Sequence, residues 1–515
     1  MIKKKIKNLW IIVIALIIPN DFTPDVHAQD AVPRKIASID APFDMPRLKR
    51  PKFPDQTFNI RDYGAKAKKG FINTEAIAKT IKACSEAGGG TVLIPAGEWL
   101  TGPIHLKSNI NLRITKGAVV HFPSEPKTYL PVVPDRIKGV ECYNYSPFIY
   151  APNVENIAIT GKGMLKAEGD WWWEWALKYE RGAKQGEPRR IATKTTLSRR
   201  NYGKGAGAEG LRPSFIVPWK SKNILVEGIT LKNVPLWAVR AVYSKNIIVR
   251  DISVLSVAGR HGIEAVSHNN AGVCLSSCKN ALIEYPHIET TDDAIVVRSG
   301  YNEDGRKIGI PSENVVVRHF TAKHIGTGSG GIVFGSETAG GIRNVYVHDA
   351  YFEGADRGIR FKTERGRGNI VENIYIENIR MKSIDYEAIT FNTYYTGPDV
   401  RGPAPLIRNI HIDSVECDGA NTAIRMVGLP EKWLENLWFN DIKITNSKSG
   451  ALLKRIKNAH FDNIILEASK GPAMTIFDGF QITLKNMNLQ GEDEPLMIKG
   501  SETGAIDVDP SADNF

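Results

Sequence analysis

The sequence has few of the residues that build disulfide scaffolds or metal centres. Its 515 residues include five cysteines, an odd number in a long chain, so a disulfide-stabilised framework is excluded and at most one local bridge stays open. It contains no Cys-x-x-Cys pair and no His-Glu-x-x-His motif, and so no pattern that predicts zinc. We therefore expect no metal and no cofactor, and we expect Cys274 and Cys278 to be small buried residues.

Long apolar runs are absent beyond the N-terminus, so no membrane-spanning helix is predicted for the rest of the chain. Residues 1–28 have the pattern of a secretory signal, with four lysines before the run LWIIVIALII and a small-residue cleavage site before Gln29. An uncleaved anchor helix is the alternative, although the run is short for a bilayer span. We expect a periplasmic or secreted protein, without a membrane contact after signal removal and monomeric.

Acidic residues are outnumbered, since 56 Asp and Glu stand against 67 Lys and Arg for a formal net charge of +11. A basic surface favours an anionic partner, and nucleic acid, acidic lipid and acidic polysaccharide all qualify on charge alone. A merely solvated basic face is the alternative. The hydrophobic content of 42% and charged content of 24% are ordinary for a soluble globular protein.

Helix-like periodicity is rare, and a strand-like repeat takes its place. An Asn that follows a polar residue and precedes alternating apolar positions recurs, mostly at spacings of roughly 22 to 36 residues, as in solenoids. Short strands and turns without crossover helices predict an all-β parallel β-helix, with these asparagines bonded to one another at a turn. The members are Asn109, Asn156, Asn223, Asn246, Asn280, Asn314, Asn344, Asn373, Asn409, Asn436 and Asn458.

The organisation around this repeat is simple. Residues 29–56 are predicted to be an extended lead-in, 57–500 a single β-helix domain and 501–515 a loose tail. One short helix is predicted near the start of the domain, where it would cover the open end of the stacked strands. Asn73 or Thr74 caps it, Gly88 to Gly90 end it, and its apolar side is Ala76, Ile77, Ile81 and Cys84.

An insertion at about 169–211 interrupts the repeat. It is rich in Trp and Arg, which suggests an aromatic and basic wall for binding, since Trp faces stack on sugar rings as well as on bases. The alternative is that the tryptophans pack a short helix onto the β-helix. The residues concerned are Trp171, Trp172, Trp173, Trp175, Arg189, Arg190, Arg199 and Arg200.

The repeat is organised around the stretch TTDDAIVVRSG, from Thr290 to Gly300. Neighbouring repeats share its frame of a small residue, Ile or Val, a variable residue and an apolar residue. Side chains alternate along a strand, so every second residue should point out of the β-helix. Stacking the frames then brings two acids and three bases into one outward groove: Asp292, Asp293, Arg298, Arg360 and Lys362.

These motifs resemble the polygalacturonases of glycoside hydrolase family 28, from about Phe58 to about Gly450. Asp292 and Asp293 match the family motif DD, and Arg360-Phe361-Lys362 matches RIK with one neutral change. The resemblance implies a right-handed parallel β-helix that hydrolyses pectin backbones with inversion. By carry-over Asp292 is the general acid and Asp293 the base.

The resemblance also implies substrate contacts. Arg360 would bind a uronate carboxylate bidentately through its guanidinium, and Lys362 would add a point charge. Arg298 would lie beside them. Either Tyr394 or Tyr395 falls where the family places a substrate-contacting tyrosine.

Two family motifs do not match. The NTD motif reads Asn269-Asn270-Ala271, so a third carboxylate is missing, and the GHG motif reads Gly328-Ser329-Gly330, so a histidine is missing. Asn270 and Ser329 are included among the expected substrate contacts, and His261 or His268 is a candidate replacement for the histidine.

We therefore expect a secreted hydrolase of an acidic, galacturonic-acid-containing polysaccharide of the pectin type, and no nucleic-acid partner. The two departures favour rhamnogalacturonan or another substituted uronan as the alternative substrate. A non-catalytic carbohydrate-binding β-helix and a lyase on the same fold also stay open.

Overall fold

The computed structural model describes residues 32–180, 212–256, 269–324 and 330–509. The chain divides into a short unit, Met1–Ala37, and a large unit, Ser38–Phe515. Every helix and strand given below belongs to the large unit. Across the described ranges, no helix combines the length and the apolar character that a bilayer crossing needs.

Short strands make up most of the described chain. Those before the groove are β1 (Thr57–Asn59), β2 (Gly90–Ile94), β3 (Gly97–Leu100), β4 (Ile104–His105), β5 (Ile110–Ile114), β6 (Ala118–Phe122), β7 (Val133–Ile137), β8 (Val140–Asn144), β9 (Ile149–Pro152), β10 (Glu155–Gly161), β11 (Met164–Ala167), β12 (Ile216–Trp219), β13 (Lys222–Glu227), β14 (Thr230–Lys232), β15 (Val239–Val242), β16 (Lys245–Arg250) and β17 (Ser253–Leu255). Those from the groove onward are β18 (Val273–Ser276), β19 (Lys279–Glu284), β20 (His287–Thr290), β21 (Ile295–Arg298), β22 (Ser312–His324), β23 (Ile332–Gly335), β24 (Ile342–Glu353), β25 (Arg357–Lys362), β26 (Ile370–Asn392), β27 (Leu406–Val427), β28 (Leu434–Gln490), β29 (Leu496–Lys499) and β30 (Gly504–Val508).

Helices are few and short. They are α1 (Thr74–Glu86), α2 (Gly169–Glu180) and α3 (Asn302–Ile308), with single 3-10 turns at Ile60–Tyr63 and Pro126–Tyr129. The prediction of an N-terminal helix is confirmed, because α1 buries Ala76, Ile77, Ile81 and Cys84. Asn73 precedes the helix, but its side chain makes no capping bond.

Apart from β7 and β8, the strands pair in parallel from one coil to the next, which is the pattern of a β-helix. Val273 of β18 is in register with Ile295 of β21, which is in register with Ile332 of β23, and so on to Ile359 and Ile389. The predicted right-handed parallel β-helix is thus confirmed. Among the described strands, β7 and β8 form the antiparallel hairpin.

The interior is a continuous apolar core built from the predicted inward columns. Phe334, Phe361 and Phe391 lie on successive coils and stack with ring centroids 4.5 and 4.2 Å apart. Each is buried together with the isoleucine two residues before it. Burying such a side chain contributes about 1.5–3 kcal/mol, so these columns fix which side chains face outward.

The recurring asparagines form one ladder along the β-helix. Each Nδ2 donates to the Oδ1 of the asparagine one coil earlier, from Asn156 to Asn458, over 2.7 to 3.2 Å. All eleven have φ between 50° and 63°, a left-handed conformation that Asn tolerates better than most residues. The predicted structural role of the asparagines is confirmed.

We expect Asn280→Ala to destabilise the fold by about 2 kcal/mol, because it removes two ladder bonds and also the polar side chain that lets an Asn tolerate a positive φ better than an Ala does. Asn280→Gly is the matched control, since it loses the bonds but not the backbone freedom, and should cost less. Urea unfolding followed by circular dichroism measures both. Equal losses would mean that the backbone conformation carries none of the effect.

The segments before and after the coils of the β-helix are hydrogen-bonded to the coils. Arg50 of the lead-in donates from Nη2 to Glu227 at 2.6 Å, and the carbonyl of Ser38 accepts from Arg318 at 3.1 Å. At the other end, β30 pairs in parallel with Phe480–Leu484 of β28. The prediction of a loose tail is wrong for residues 504–508, because one further strand can still stack on the open end of the last coil.

Candidate active site

The groove lies on the outward face of β21, β23, β25 and the end of β26. Arg360 is in register with Val333 on one side and Thr390 on the other, and Lys362 with Gly335 and Asn392. Asp292 and Asp293 lie in the turn that leads into β21. The structure therefore brings together the two acids and the bases that the repeat frame predicts on this face.

Asp293 is fully buried and ion-paired. Its Oδ2 accepts from Lys362 Nζ at 2.9 Å and lies 3.5 Å from Arg298 Nη2, and Lys362 Nζ is 3.3 Å from Oδ1. Burial raises the pKa of Asp293, but the charges of Lys362, Arg298 and Arg360 outweigh burial and bring that pKa below its ordinary value. Asp293 is therefore a fixed negative charge that holds the basic residues in place.

Asp292 is half-buried and held differently from its neighbour. Its Oδ2 accepts from the Asn269 backbone N–H at 2.6 Å and from Asn269 Nδ2 at 3.2 Å, while Oδ1 accepts from the Asp293 N–H at 2.6 Å. Thr290 Oγ1 donates to the Asp292 carbonyl at 2.9 Å, which fixes the turn. Of the two acids, Asp292 is thus the one that presents surface to the groove.

Arg298 lies between an acid and an aromatic ring. Its Nη1 is 3.2 Å from Glu337 Oε2, and its guanidinium lies 5.5 Å from the centre of the Trp237 ring. Burial lowers the pKa of Arg298, but the negative charges of Glu337, Asp293 and Asp292 raise that pKa by more. The Arg298 guanidinium therefore stays positively charged.

The two tyrosines separate in the structure. The guanidinium of Arg360 and the ammonium of Lys362 each lie 5.7 Å from the centre of the Tyr395 ring. Tyr394 instead lies against Arg365, whose guanidinium is 5.6 Å from its ring centre. Tyr395 is therefore the tyrosine that borders the acid-and-base cluster.

Asn270 does not face the groove, which corrects its expected role as a substrate contact. It is fully buried, donates to the Ser256 carbonyl at 2.8 Å and accepts from Thr291 Oγ1 at 3.1 Å. Its amide braces the turn and has no surface to offer a ligand. Ser329, His261 and His268 lie outside the described residues.

Several residues that border the acids are not among those predicted from the sequence. Trp237 and Glu337 flank Arg298, and His324 is buried in register with Thr290, where burial lowers the pKa of the imidazole. Asp356 is the fourth, and its side chain is 17% exposed. A signal for Asp356 was present, since it precedes Ile359 in the frame DRGIRFKT by three residues, as Asp292 precedes Ile295 in DDAIVVRS.

The Trp-rich insertion divides into packing and exposed residues. Trp172 belongs to the core and Trp173 donates from Nε1 to the Pro235 carbonyl at 3.2 Å, so a wall for sugars is wrong for these two. Trp171 is 38% exposed and stacks on Trp175 with ring centroids 5.4 Å apart. The four arginines of the predicted wall lie outside the described residues.

All five cysteines are buried and none forms a disulfide, so the local bridge left open by the sequence does not exist. The prediction that Cys274 and Cys278 are buried is confirmed. In the part of the chain that the structure describes, no three His, Cys, Asp or Glu residues gather as a metal site would need.

The fold and the groove define a class of protein, a β-helix enzyme with acid–base residues set among cations. A family profile described as "Glycosyl hydrolases family 28" matches residues 199–464. The chain therefore belongs to glycosyl hydrolases family 28 and is a glycoside hydrolase.

Individual relatives agree with this assignment. A crystal structure of an exopolygalacturonase from Thermotoga maritima superimposes with a TM-score of 0.70 at 32% identity and covers 88% of this chain and 94% of its own. A "Probable polygalacturonase" of Vitis vinifera is 28% identical over 398 residues, 75% of this chain and 74% of that protein. An "Exo-poly-alpha-D-galacturonosidase" of Dickeya chrysanthemi is 24% identical over 475 residues, 85% of this chain and 75% of that protein.

Proposed function

We propose that this enzyme is a secreted, exo-acting hydrolase of polygalacturonate that inverts the anomeric configuration. The chemistry of the groove supports an anionic substrate, because Arg298, Arg360 and Lys362 lie beside the half-exposed Asp292. A guanidinium binds a uronate carboxylate bidentately, and the Tyr395 ring offers an adjacent apolar face. The relatives named for activity on polygalacturonate support the same substrate.

The proposal of exo action rests on the contacts of the β7–β8 hairpin. Arg136 at its tip donates to Ser277 Oγ at 2.8 Å and to the Ser299 carbonyl at 3.2 Å, and the Tyr301 N–H donates to Gly139 at 3.1 Å. Ile137 packs onto the outward apolar cluster that contains Trp237. The hairpin thus lies against the residues that directly follow β18 and β21 and against the outward apolar cluster beside them.

This hairpin covers the groove on the side of the coils that precede Arg360 and Lys362. In the same outward column as Arg360, the earlier residues Cys274, Val296 and Val333 are buried. A polymer cannot lie across covered strands, so it enters from the side of the later coils and presents one end to Asp292. One sugar or a short fragment is then released per encounter.

In this mechanism Asp292 donates its proton to the oxygen of the leaving sugar as the bond breaks. Arg360 and Lys362 hold the carboxylate of a neighbouring galacturonate, which fixes the position of the bond. The apolar Ala271 stands where the family motif has a third acid.

The experiment is to incubate the purified enzyme with polygalacturonate, and separately with rhamnogalacturonan, and to weigh the products. We expect saturated galacturonate or a short oligomer from polygalacturonate, with reducing ends rising while viscosity hardly falls. An endo-acting polygalacturonase serves as the comparison, because its viscosity loss precedes its reducing ends.

Each other outcome has its own meaning. A rapid loss of viscosity would overturn exo action, and cleavage of rhamnogalacturonan alone would move the substrate to a substituted uronan. Unsaturated products that absorb in the near ultraviolet would show a lyase. Binding without any product would show a non-catalytic binding protein. Export is tested separately, by the mass of the mature N-terminus, which we expect to begin at Gln29.

A further inference from the structure

An inverting hydrolase needs a base as well as an acid, and Asp293 is poorly suited to this work. It is fully buried, its two oxygens are ion-paired with Lys362 and Arg298, and its pKa is depressed. A base works best when its pKa is near the working pH and when it can reach water. Ala271 cannot take its place, because an alanine has no carboxylate. Its methyl group is buried in the apolar cluster with Trp237 and Cys274.

A second carboxylate of the groove occupies a position equivalent to that of Asp292. Ile295, Ile332 and Ile359 are in register on three successive coils. Asp292 precedes Ile295 by three residues and Asp356 precedes Ile359 by three residues. The segments before these strands stack as well, since Ala294 donates to the Gly330 carbonyl at 2.8 Å and Gly331 to the Arg357 carbonyl at 3.1 Å.

The separation of the two acids follows from this stacking. Adjacent parallel strands lie about 4.8 Å apart, so two coil steps place equivalent backbone positions roughly 9 to 10 Å apart. Inverting glycosidases hold their acid and base about 6.5–9.5 Å apart to admit a water molecule. The backbone spacing of Asp292 and Asp356 meets the upper end of this range, and both side chains keep some exposure, whereas Asp293 is fully buried.

The surroundings of Asp356 suit a proton acceptor. Burial raises its pKa to about 6, with Arg357 lowering it, Asp385 raising it, Arg360 lowering it and Asp292 raising it. The carboxylate lies 3.8 Å from Arg357 Nη1, which is a long distance for an ion pair. A carboxylate that titrates near pH 6 accepts a proton more readily than Asp293 does.

We propose that Asp356 is the general base of the reaction, a role that rests on the proposed function. Water attacks the anomeric carbon and gives its proton to Asp356 while the glycosidic carbon–oxygen bond breaks. The leaving oxygen takes the proton of Asp292, so one water is added across the bond. Asp356 then releases its proton to solvent and Asp292 takes one up.

The test compares Asp356→Asn with the wild type on polygalacturonate. We expect kcat to fall by about 10²- to 10⁴-fold, and sodium azide to restore turnover with a galacturonosyl azide as product, because azide attacks without a base. On 4-nitrophenyl galacturonide, whose leaving group needs no acid, Asp292→Asn should retain activity and Asp356→Asn should not. Circular dichroism verifies that both variants are folded.

The pH profile is a second readout. In the wild type kcat/KM should fall below about pH 6, the value to which burial raises the pKa of Asp356, because the base is then protonated. The acid limb should disappear in Asp356→Asn. Asp385→Asn is the matched control, since it removes an exposed carboxylate of the next coil, keeps kcat and moves the limb to lower pH.

The outcomes separate the two proposals. An active wild type together with a fully active Asp356→Asn, or an inactive Asp356→Asn that azide does not rescue, overturns the role of Asp356 alone. A wild type that cleaves no galacturonan overturns the proposed function and the role of Asp356 with it.

Discussion

Asp292→Asn is expected to lower kcat on polygalacturonate by about 10²- to 10⁴-fold, the range that a positioned proton donor contributes. The carboxamide has nearly the same shape as the acid but cannot protonate a leaving oxygen. Stability should fall as well, by about 1–3 kcal/mol, since the backbone N–H groups of Asn269 and Asp293 donate to different carboxylate oxygens and the carboxamide keeps only one acceptor oxygen. Initial rates of reducing-end release measure the effect.

Glu75→Gln is the control, because this carboxylate lies on α1 with a side chain that is 81% exposed. It should match the wild type in rate and stability. Wild-type turnover by Asp292→Asn would remove Asp292 from the chemistry and, with it, the assignment of the groove as the active site.

Lys362→Met is expected to have the largest effect on stability, about 3–5 kcal/mol, because it leaves Asp293 fully buried with one of its two ion-pair partners gone. The double variant with Asp293→Asn should recover much of this loss, since the unpaired buried charge is then removed as well. Activity should stay low in both, because Lys362 also belongs to the groove. Urea unfolding of the single variants and the double variant at neutral pH measures the free energies of unfolding that this comparison needs.

The same ion pairs predict a pH dependence with a definite sign. The pKa of Asp293 is depressed below 3.8 in the folded state, so its ionisation stabilises the fold above that pH and the stabilisation is lost as pH falls through the folded value. The stability difference between wild type and Asp293→Asn should therefore shrink below about pH 3.8. A difference that grows on acidification would contradict the pairing of Asp293 with Lys362.

The repeat frame predicted which groove residues share a face. Arg360 and Lys362 alternate with Ile359 and Phe361, and burial of the apolar pair forces the basic pair outward. The frame did not reveal that Asn270 is buried, because its hydrogen bonds to Ser256 and Thr291 depend on how two turns meet. Nor could it choose between Tyr394 and Tyr395, whose rings diverge within one loop.

The sequence by itself determined the β-helix, its asparagine ladder and the outward column of acids and bases, because a period-two pattern repeated on every coil leaves one way to bury the apolar residues. Only the tertiary structure decided which acid is exposed. Asp292 and Asp293 are adjacent in sequence, yet one meets backbone N–H groups and the other meets Lys362 and Arg298 from distant coils. It also decided that the β7–β8 hairpin covers one side of the groove and that Asp356 stands two coils from Asp292, since both follow from how the coils stack.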